Sequence, residues 1–299
     1  MTLALYRGRG QVWQRQGDPI PPPPSKVTTP YIGFAIDGTS QWAALSTRVG
    51  GLLVRRSYNS LGDGVPASFA SSAAKPDAGL GATISYLSIR TDPAATASGS
   101  LDAKLAAFAK SCPAGLWFSW WAEGEAGRHN GGSGYNPGTF ATALRRVYQV
   151  MKSANSQINI GPCWMTYSLT SGHGFPLDDW YSGDLADSGD FIGWDGYNPT
   201  VSGWQSFADI FGPAVTWTRT RSDLPIVISE CNSVADPSNA GRRGAWWAGV
   251  WDYAAAQKMP LVCGWSGASV PQYDIFSPDD TPALDAITTL NSTAKAART

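Results

Sequence analysis

The stretch WFSWWAEGEAGRHNGG, residues 117–132, opens as a buried strand and closes as a surface loop. Its first half is apolar and aromatic, as suits a strand covered on both faces. Its second half is rich in glycine and polar residues, which read as a loop. Glu123 and Glu125 stand at the changeover, in a chain of which only 15% is charged. A carboxylate at the C-terminal end of a buried strand lies where α/β barrels carry their chemistry. The fold turns on whether the same unit recurs along the chain.

It recurs eight times. The strand-like runs are Tyr31–Asp37, Leu52–Tyr58, Gly81–Ile89, Gly115–Glu123, Gln157–Met165, Phe191–Asn198, Pro225–Asn232 and Leu261–Gly267. Helical text separates them. In NPGTFATALRRVYQVMKSA, Asn136 is placed to cap, Pro137 suits the first turn, and Phe140, Leu144, Val147 and Met151 recur on one face. Eight units spaced by about 20 to 40 residues predict a closed (β/α)8 TIM barrel. A doubly wound open sheet is the alternative, but no glycine-rich phosphate fingerprint follows the first strand. The barrel is expected over residues 30–299. Before it, DPIPPPPSK marks a stiff proline-rich linker (18–29), and residues 1–17 form an arm too small for a core of its own.

Composition narrows the function. A formal net charge of −1 and a pI near 6.1 give no electrostatic case for binding nucleic acid or an anionic membrane surface. No apolar run approaches the ~20 residues of a membrane-spanning helix, so no membrane insertion is expected. The four cysteines are far apart and form no CxxC pair, which argues against a zinc site or a disulfide scaffold. Cys163, Cys231 and Cys263 fall in strands and read as buried thiols. With two histidines in the chain, no metal and no cofactor is expected. The excess lies in 14 Trp and 11 Tyr, whose flat rings pack cores and also stack on sugar rings.

Read in barrel order, the strand ends carry Asp37, Tyr58, Arg90, Glu123 or Glu125, Trp164, Asp195 with Tyr197 and Asn198, Glu230, and Trp265. The fourth and seventh ends face each other across a barrel mouth. Two carboxyls about 5–5.5 Å apart at such a place suit a retaining glycosidase, in which one protonates the leaving oxygen and the other attacks the anomeric carbon. Glu123 and Glu230 are the expected pair, and Glu125 is expected as a solvated loop carboxylate. Substrate contacts are expected from Asp37, Trp121, Trp164, Asp195, Tyr197 and Trp265 at the rim. His129 and His173, in two glycine-containing loops, are expected to reach substrate from above. Of Arg55 and Arg56, alternation sends one toward the mouth and the other toward the helix layer.

These motifs resemble the β-mannanase-type glycoside hydrolases of family 26 and relatives. WFSWWAEGEAG is similar to their fourth-strand segment with its His-His-Glu-Pro-Glu-like motif, and PIVISECN to their seventh-strand Ile-x-Glu segment. FIGWDGYN is similar to their sixth-strand Asp-x-Tyr-Asn segment and GWSG to their eighth-strand Trp segment. The resemblance runs from about Tyr31 to Asn291 in order and spacing. It implies a glycosidase barrel with Glu123 as acid/base, Glu230 as nucleophile, Tyr197 as the group that keeps the nucleophile ionised and Trp265 as the floor of a subsite. Trp121 and Ala122 stand where those relatives carry histidines, so a barrel that binds glycan without cleaving it is the other reading. The open row of aromatics favours a polysaccharide over a single terminal sugar.

The N-terminal MTLALYRGRGQ has too short an apolar run for a secretory signal, and arginines follow it. Arm, proline spacer and glycan-facing barrel together resemble the minor tail proteins of actinobacterial bacteriophages. That resemblance implies a place in the virion tail, contact with other tail proteins through the arm, and a host cell-envelope glycan as target. Without it, the expected place is the cytoplasm.

Overall fold

Nine short parallel strands form one sheet in the computed structural model, which describes residues 30–36, 38–126, 135–170, 177–181, 187–267, 269–275 and 280–298. The expected arm and linker lie outside the described residues. The strands are β1 (Tyr31–Ile36), β2 (Val54–Asn59), β3 (Ile84–Ile89), β4 (Trp117–Trp120), β5 (Asn159–Ile160), β6 (Cys163–Met165), β7 (Ile192–Asn198), β8 (Ile226–Ser233) and β9 (Leu261–Ser266). Their order is β5-β4-β3-β2-β1-β9-β8-β7-β6.

The two ends of that sheet are two halves of one barrel strand. Only Gly161 and Pro162 separate β5 from β6. Gly161 N donates to Phe118 O at 3.0 Å on one side, and Gly193 N donates to Pro162 O at 2.9 Å on the other. The fifth strand, expected in one piece, is therefore broken at a proline, which has no N–H for the ladder. The ring closes across the break, and the TIM-barrel-like fold follows.

Eight α-helices are described: α1 (Thr39–Arg48), α2 (Pro93–Ser98), α3 (Asp102–Ser111), α4 (Pro137–Ala154), α5 (Leu177–Trp180), α6 (Phe207–Arg219), α7 (Arg242–Ala256) and α8 (Thr281–Ala296). In α4, Asn136 caps by accepting from Thr139 N at 3.0 Å, and Phe140, Leu144, Val147 and Met151 are buried. The even alternation of strand and helix is corrected at one place. Between β2 and β3 the chain makes three 3-10 turns and no α-helix. Pro66, Pro76 and the glycines of this stretch interrupt any helical ladder, and no apolar period supports one.

Two cores result. The larger lies between the strands and the helices and takes in Trp42, Trp120, Trp194 and Trp247. The smaller gathers Val54, Tyr86, Phe191, Val227, Leu261 and Cys263 from around the ring, with Tyr31, Ile84 and Trp117 against it. Residues from so many strands meet only inside the cylinder, so this cluster is the plug on which the mouth rests.

Strand parity then decides what faces the mouth. On β8, Ile226, Ile228 and Cys231 belong to the outer core and Val227 to the inner one. Strict alternation would send Glu230 outward with Ile226 and Ile228. The register against β7 shifts instead: Trp194 pairs with Ile228, and Asp195 pairs with Glu230, leaving Ser229 as an extra residue. Ser229 Oγ reaches inward to Tyr86 Oη at 2.7 Å, and Glu230 also turns inward. This is a β-bulge, and it re-aims one side chain.

The bulge needs room that Gly193 provides. A Cβ there would lie 2.5 Å from Ser229 Oγ and 2.7 Å from Pro162 O. Gly193→Ala should therefore cost about 1–3 kcal/mol by overpacking. Denaturant unfolding reads this as a lower midpoint at unchanged slope; an unmoved midpoint would mean that the bulge is not tightly packed.

Candidate active site

Immediately above the plug, β2 contributes Arg56 and Tyr58. Arg55, one residue away, faces outward and pairs with Asp77 at 2.6 Å. Arg56 is buried, with its guanidinium 4.2 Å from the centroid of the Tyr86 ring. From there Nε and Nη2 reach Glu230 Oε1 at 3.4 and 3.3 Å. Tyr58 Oη donates to the same oxygen at 2.6 Å, and Tyr197 Oη donates to Oε2 at 2.5 Å. Glu230 thus accepts from four donors. Trp265, half-buried at the end of β9, stands edge-on to Tyr197 with ring centroids 6.3 Å apart.

Glu123 arrives from the opposite side by a strained route. Strand β4 ends at Trp120, three residues short of the expected end. Trp121 and Glu123 then adopt left-handed backbone, with φ of 56° and 58°. Non-glycine residues in that region cost on the order of 1–3 kcal/mol each, and they persist where surroundings over-determine them. Here Glu123 N donates to Cys163 O at 2.9 Å, Arg90 Nη2 donates to Ala122 O at 3.4 Å, and Tyr135 Oη bonds Gly124 O. The turn buries Glu123 and brings it over the mouth.

One carboxylate oxygen each from Glu123, Asp195 and Glu230 lies within 4.8 Å of the others. That spacing would also suit a metal ion, but the Arg56 guanidinium already stands at 3.3 Å from Glu230 and 3.9 Å from Asp195 and supplies a positive charge. Burial, reinforced by the neighbouring Glu230 and opposed by Arg56, pushes the Asp195 carboxyl well above its ordinary value.

Several expectations are corrected here. Trp164 is fully buried and faces the helix layer, because its neighbour Cys163 points inward at Asp195. Trp121, buried to the same degree, packs against Trp120 and Tyr135 at centroid distances of 5.8 and 5.5 Å. Neither ring has a free face for a sugar. The Asp195 side chain has no exposed surface, so it lies beneath the mouth, out of reach of a substrate hydroxyl. Glu125 is not solvated; it is wholly buried, accepting from Met165 N and from Ser168 Oγ, the latter at 3.0 Å. Asp37, His129 and His173 lie outside the described residues. Of the two arginines expected to part, Arg56 is the one that enters the mouth and pairs with a carboxylate, while Tyr58, read as a strand-end residue, had been given no role there. A doubled arginine in an apolar strand is the signal that finds Arg56, since one of the pair must point inward.

No protein-family model matches the chain, and no curated protein matches it. Solved structures do. A glucosidase from Croceicoccus marinus superimposes with a TM-score of 0.58 at 13% identity, over 89% of this chain and 67% of its own. The protein ZgEngAGH5_4, solved in complex with a cellotriose, gives 0.57 at 13% identity over 88% and 95%. An oligosaccharide-binding protein of family GH128 from Trichoderma gamsii gives 0.55 at 13% identity over 89% and 96%. Likeness at this identity establishes a shared TIM-barrel-like fold.

Glu125 supplies a pH test of the turn. Burial raises its carboxyl from 4.5 to about 8, and the hydrogen bonds from Met165 and Ser168 offset only part of this. A folded-state value above the unfolded one makes stability fall as pH rises from the unfolded value through the folded one. Glu125→Gln should remove that decline, giving up to ~5 kcal/mol relative to the parent above pH 8 and little difference near pH 4. Denaturant unfolding across this window checks it; parallel curves for the two proteins would refute a buried, neutral Glu125.

Proposed function

We propose that the barrel is a retaining glycoside hydrolase acting on a polysaccharide, with Glu123 as acid/base and Glu230 as nucleophile. The observation that carries this reading is the approach of Glu123 and Glu230 to within 4.8 Å across one mouth, with four donors on Glu230 alone. That spacing is of the scale that double displacement requires.

In the proposed reaction, the ionised Glu230 attacks the anomeric carbon while Glu123 gives its proton to the departing oxygen, so the glycosidic bond breaks as the ester bond forms. Water then attacks the same carbon. Glu123, now a carboxylate, takes the water's proton, and Glu230 leaves as a carboxylate. Tyr197, Tyr58 and Arg56 hold the Glu230 oxygens in place through both steps. The Trp265 ring is the proposed floor for the reacting sugar. Fold neighbours named for a cellotriose complex and for oligosaccharide binding support a glycan ligand of some length. No step calls for a metal, and turnover is expected to survive chelation by EDTA.

Glu123→Gln and Glu230→Gln should each lower turnover of a good substrate about 10²–10⁴-fold. A 2-fluoro glycoside with an activated leaving group should label the parent stoichiometrically, with the adduct mapping to the peptide that contains Glu230. Labelling elsewhere, or variants that turn over at the parental rate, would remove this assignment.

A second reading is a glycan-binding barrel without turnover. It is favoured by Trp121 and Ala122 standing in place of histidines and by the likeness to an oligosaccharide-binding barrel. Binding without hydrolysis across mannans, glucans, xylans and bacterial envelope glycans would establish it. The proposed setting, a minor tail protein acting on a host cell-envelope glycan, has its support in the arm and the proline-rich spacer. Purified virions should contain the chain, and its absence from them would end that part of the reading.

A further inference from the structure

The mouth holds one more carboxyl than double displacement uses. Asp195 sits beside Glu123 and Glu230, yet it is served quite differently. Its Oδ2 receives the Cys163 thiol at 3.1 Å, a weak donor, and Arg56 Nη2 stands off at 3.9 Å. Its Oδ1 is buried and has no hydrogen-bond partner among the described residues. Glu230 has two phenols and two guanidinium nitrogens.

The burial of Asp195 is then decisive. Ionised, it would be a negative charge with no exposed surface, set among two further carboxyls within 4.8 Å and with one oxygen that no donor among the described residues reaches. The groups facing Asp195 are Arg56 and Tyr58 from β2, Glu123 from the turn after β4, and Cys163 from β6. Tyr197 faces it from its own strand, Glu230 from β8, and Cys263 from β9, while Cys231 belongs to the outer core. Burial raises the titration of Tyr197 and of the Cys163 and Cys263 thiols, and Arg56 is the guanidinium that reaches both Glu230 and Asp195.

We propose that Asp195 is the neutral, protonated member of this three-carboxyl cluster and acts as a positioning residue: uncharged, it leaves the Arg56 guanidinium to Glu230 and lets Glu123 and Glu230 hold opposite charge states. Its effect on catalysis rests on the hydrolase reading above; the proton on Asp195 does not. A buried carboxyl whose charged form is poorly served by donors is the one expected to keep its proton.

Infrared spectroscopy tests this directly. At neutral pH the parent should show the carbonyl stretch of a protonated carboxylic acid, shifted in D2O, that is missing from Asp195→Asn. Asp195→Ser provides the same subtraction if the amide variant folds poorly. No difference in that region, with the carboxylate bands reduced instead, would mean that Asp195 is ionised and would overturn the proposal. In kinetics, the alkaline limb of the kcat/KM profile should stay in place in Asp195→Asn. A move of that limb to lower pH by about one unit would show that a negative charge had been removed beside Glu123, and it too would overturn the proposal. A parent protein with the infrared band and no turnover would sink the hydrolase reading and leave the protonation standing.

Discussion

The site depends on one extra residue. Without the bulge at Ser229, the alternation of β8 would point Glu230 into the helix layer beside Ile228, and the mouth would lack the carboxylate that Arg56, Tyr58 and Tyr197 surround. A bulge interrupts the ladder and increases local twist, so it persists only where packing compensates. Here Ser229 bonds Tyr86 inside the plug, and Gly193 leaves the space that Ser229 occupies. The lower core and the chemistry above it are joined through this contact.

Arg56 is the second joint. It lies against the Tyr86 ring, which belongs to the plug, and its guanidinium reaches the carboxyls of the mouth. A buried cation is costly unless its partners are well placed, and the partners here come from β2, β7 and β8 at once. The same guanidinium lies nearer to Glu230, at 3.3 Å, than to Asp195, at 3.9 Å, so the two carboxyls are unequally served by the one cation they share.

How much of this was legible in the sequence follows from what each signal depends on. Strand runs and the amphipathic face of α4 are local patterns, and they delivered the barrel. The break at Gly161–Pro162 was written in the text as a proline within a strand, though its meaning, a closed ring with a split fifth strand, depends on hydrogen bonds from both neighbours. Glu123 and Glu230 were legible as strand-end carboxylates. The reason Glu230 faces inward was not, because PIVISECN read as a plain strand gives the opposite parity and the bulge exists only in the pairing with β7. Trp121 and Trp164 were misread for a related reason. Aromatic content shows that rings are present and not which side of a strand they occupy, and Cys163 takes the inner position that would have exposed Trp164.

Glu125 illustrates what a single charge near a strand end cannot disclose. Its burial follows from the turn at Trp121 and Glu123, whose left-handed backbone folds Gly124–Ala126 back beneath the mouth. A Cβ at Gly124 would come within 2.2 Å of the Phe140 ring, so the turn is pressed against the aromatic core formed by α4 and its neighbours. Glu125 in turn grips Met165 and Ser168, the end of β6 and the turn that follows it. The fourth and fifth strand ends are thereby tied together on the side of the mouth where Glu123 stands. The two positions before Glu123 carry Trp121 and Ala122, both buried, and the turn is held from below by packing and by a second carboxyl. The aromatic core beneath this turn is therefore one of the supports that set the direction of Glu123, together with the backbone bond from Glu123 N to Cys163 O.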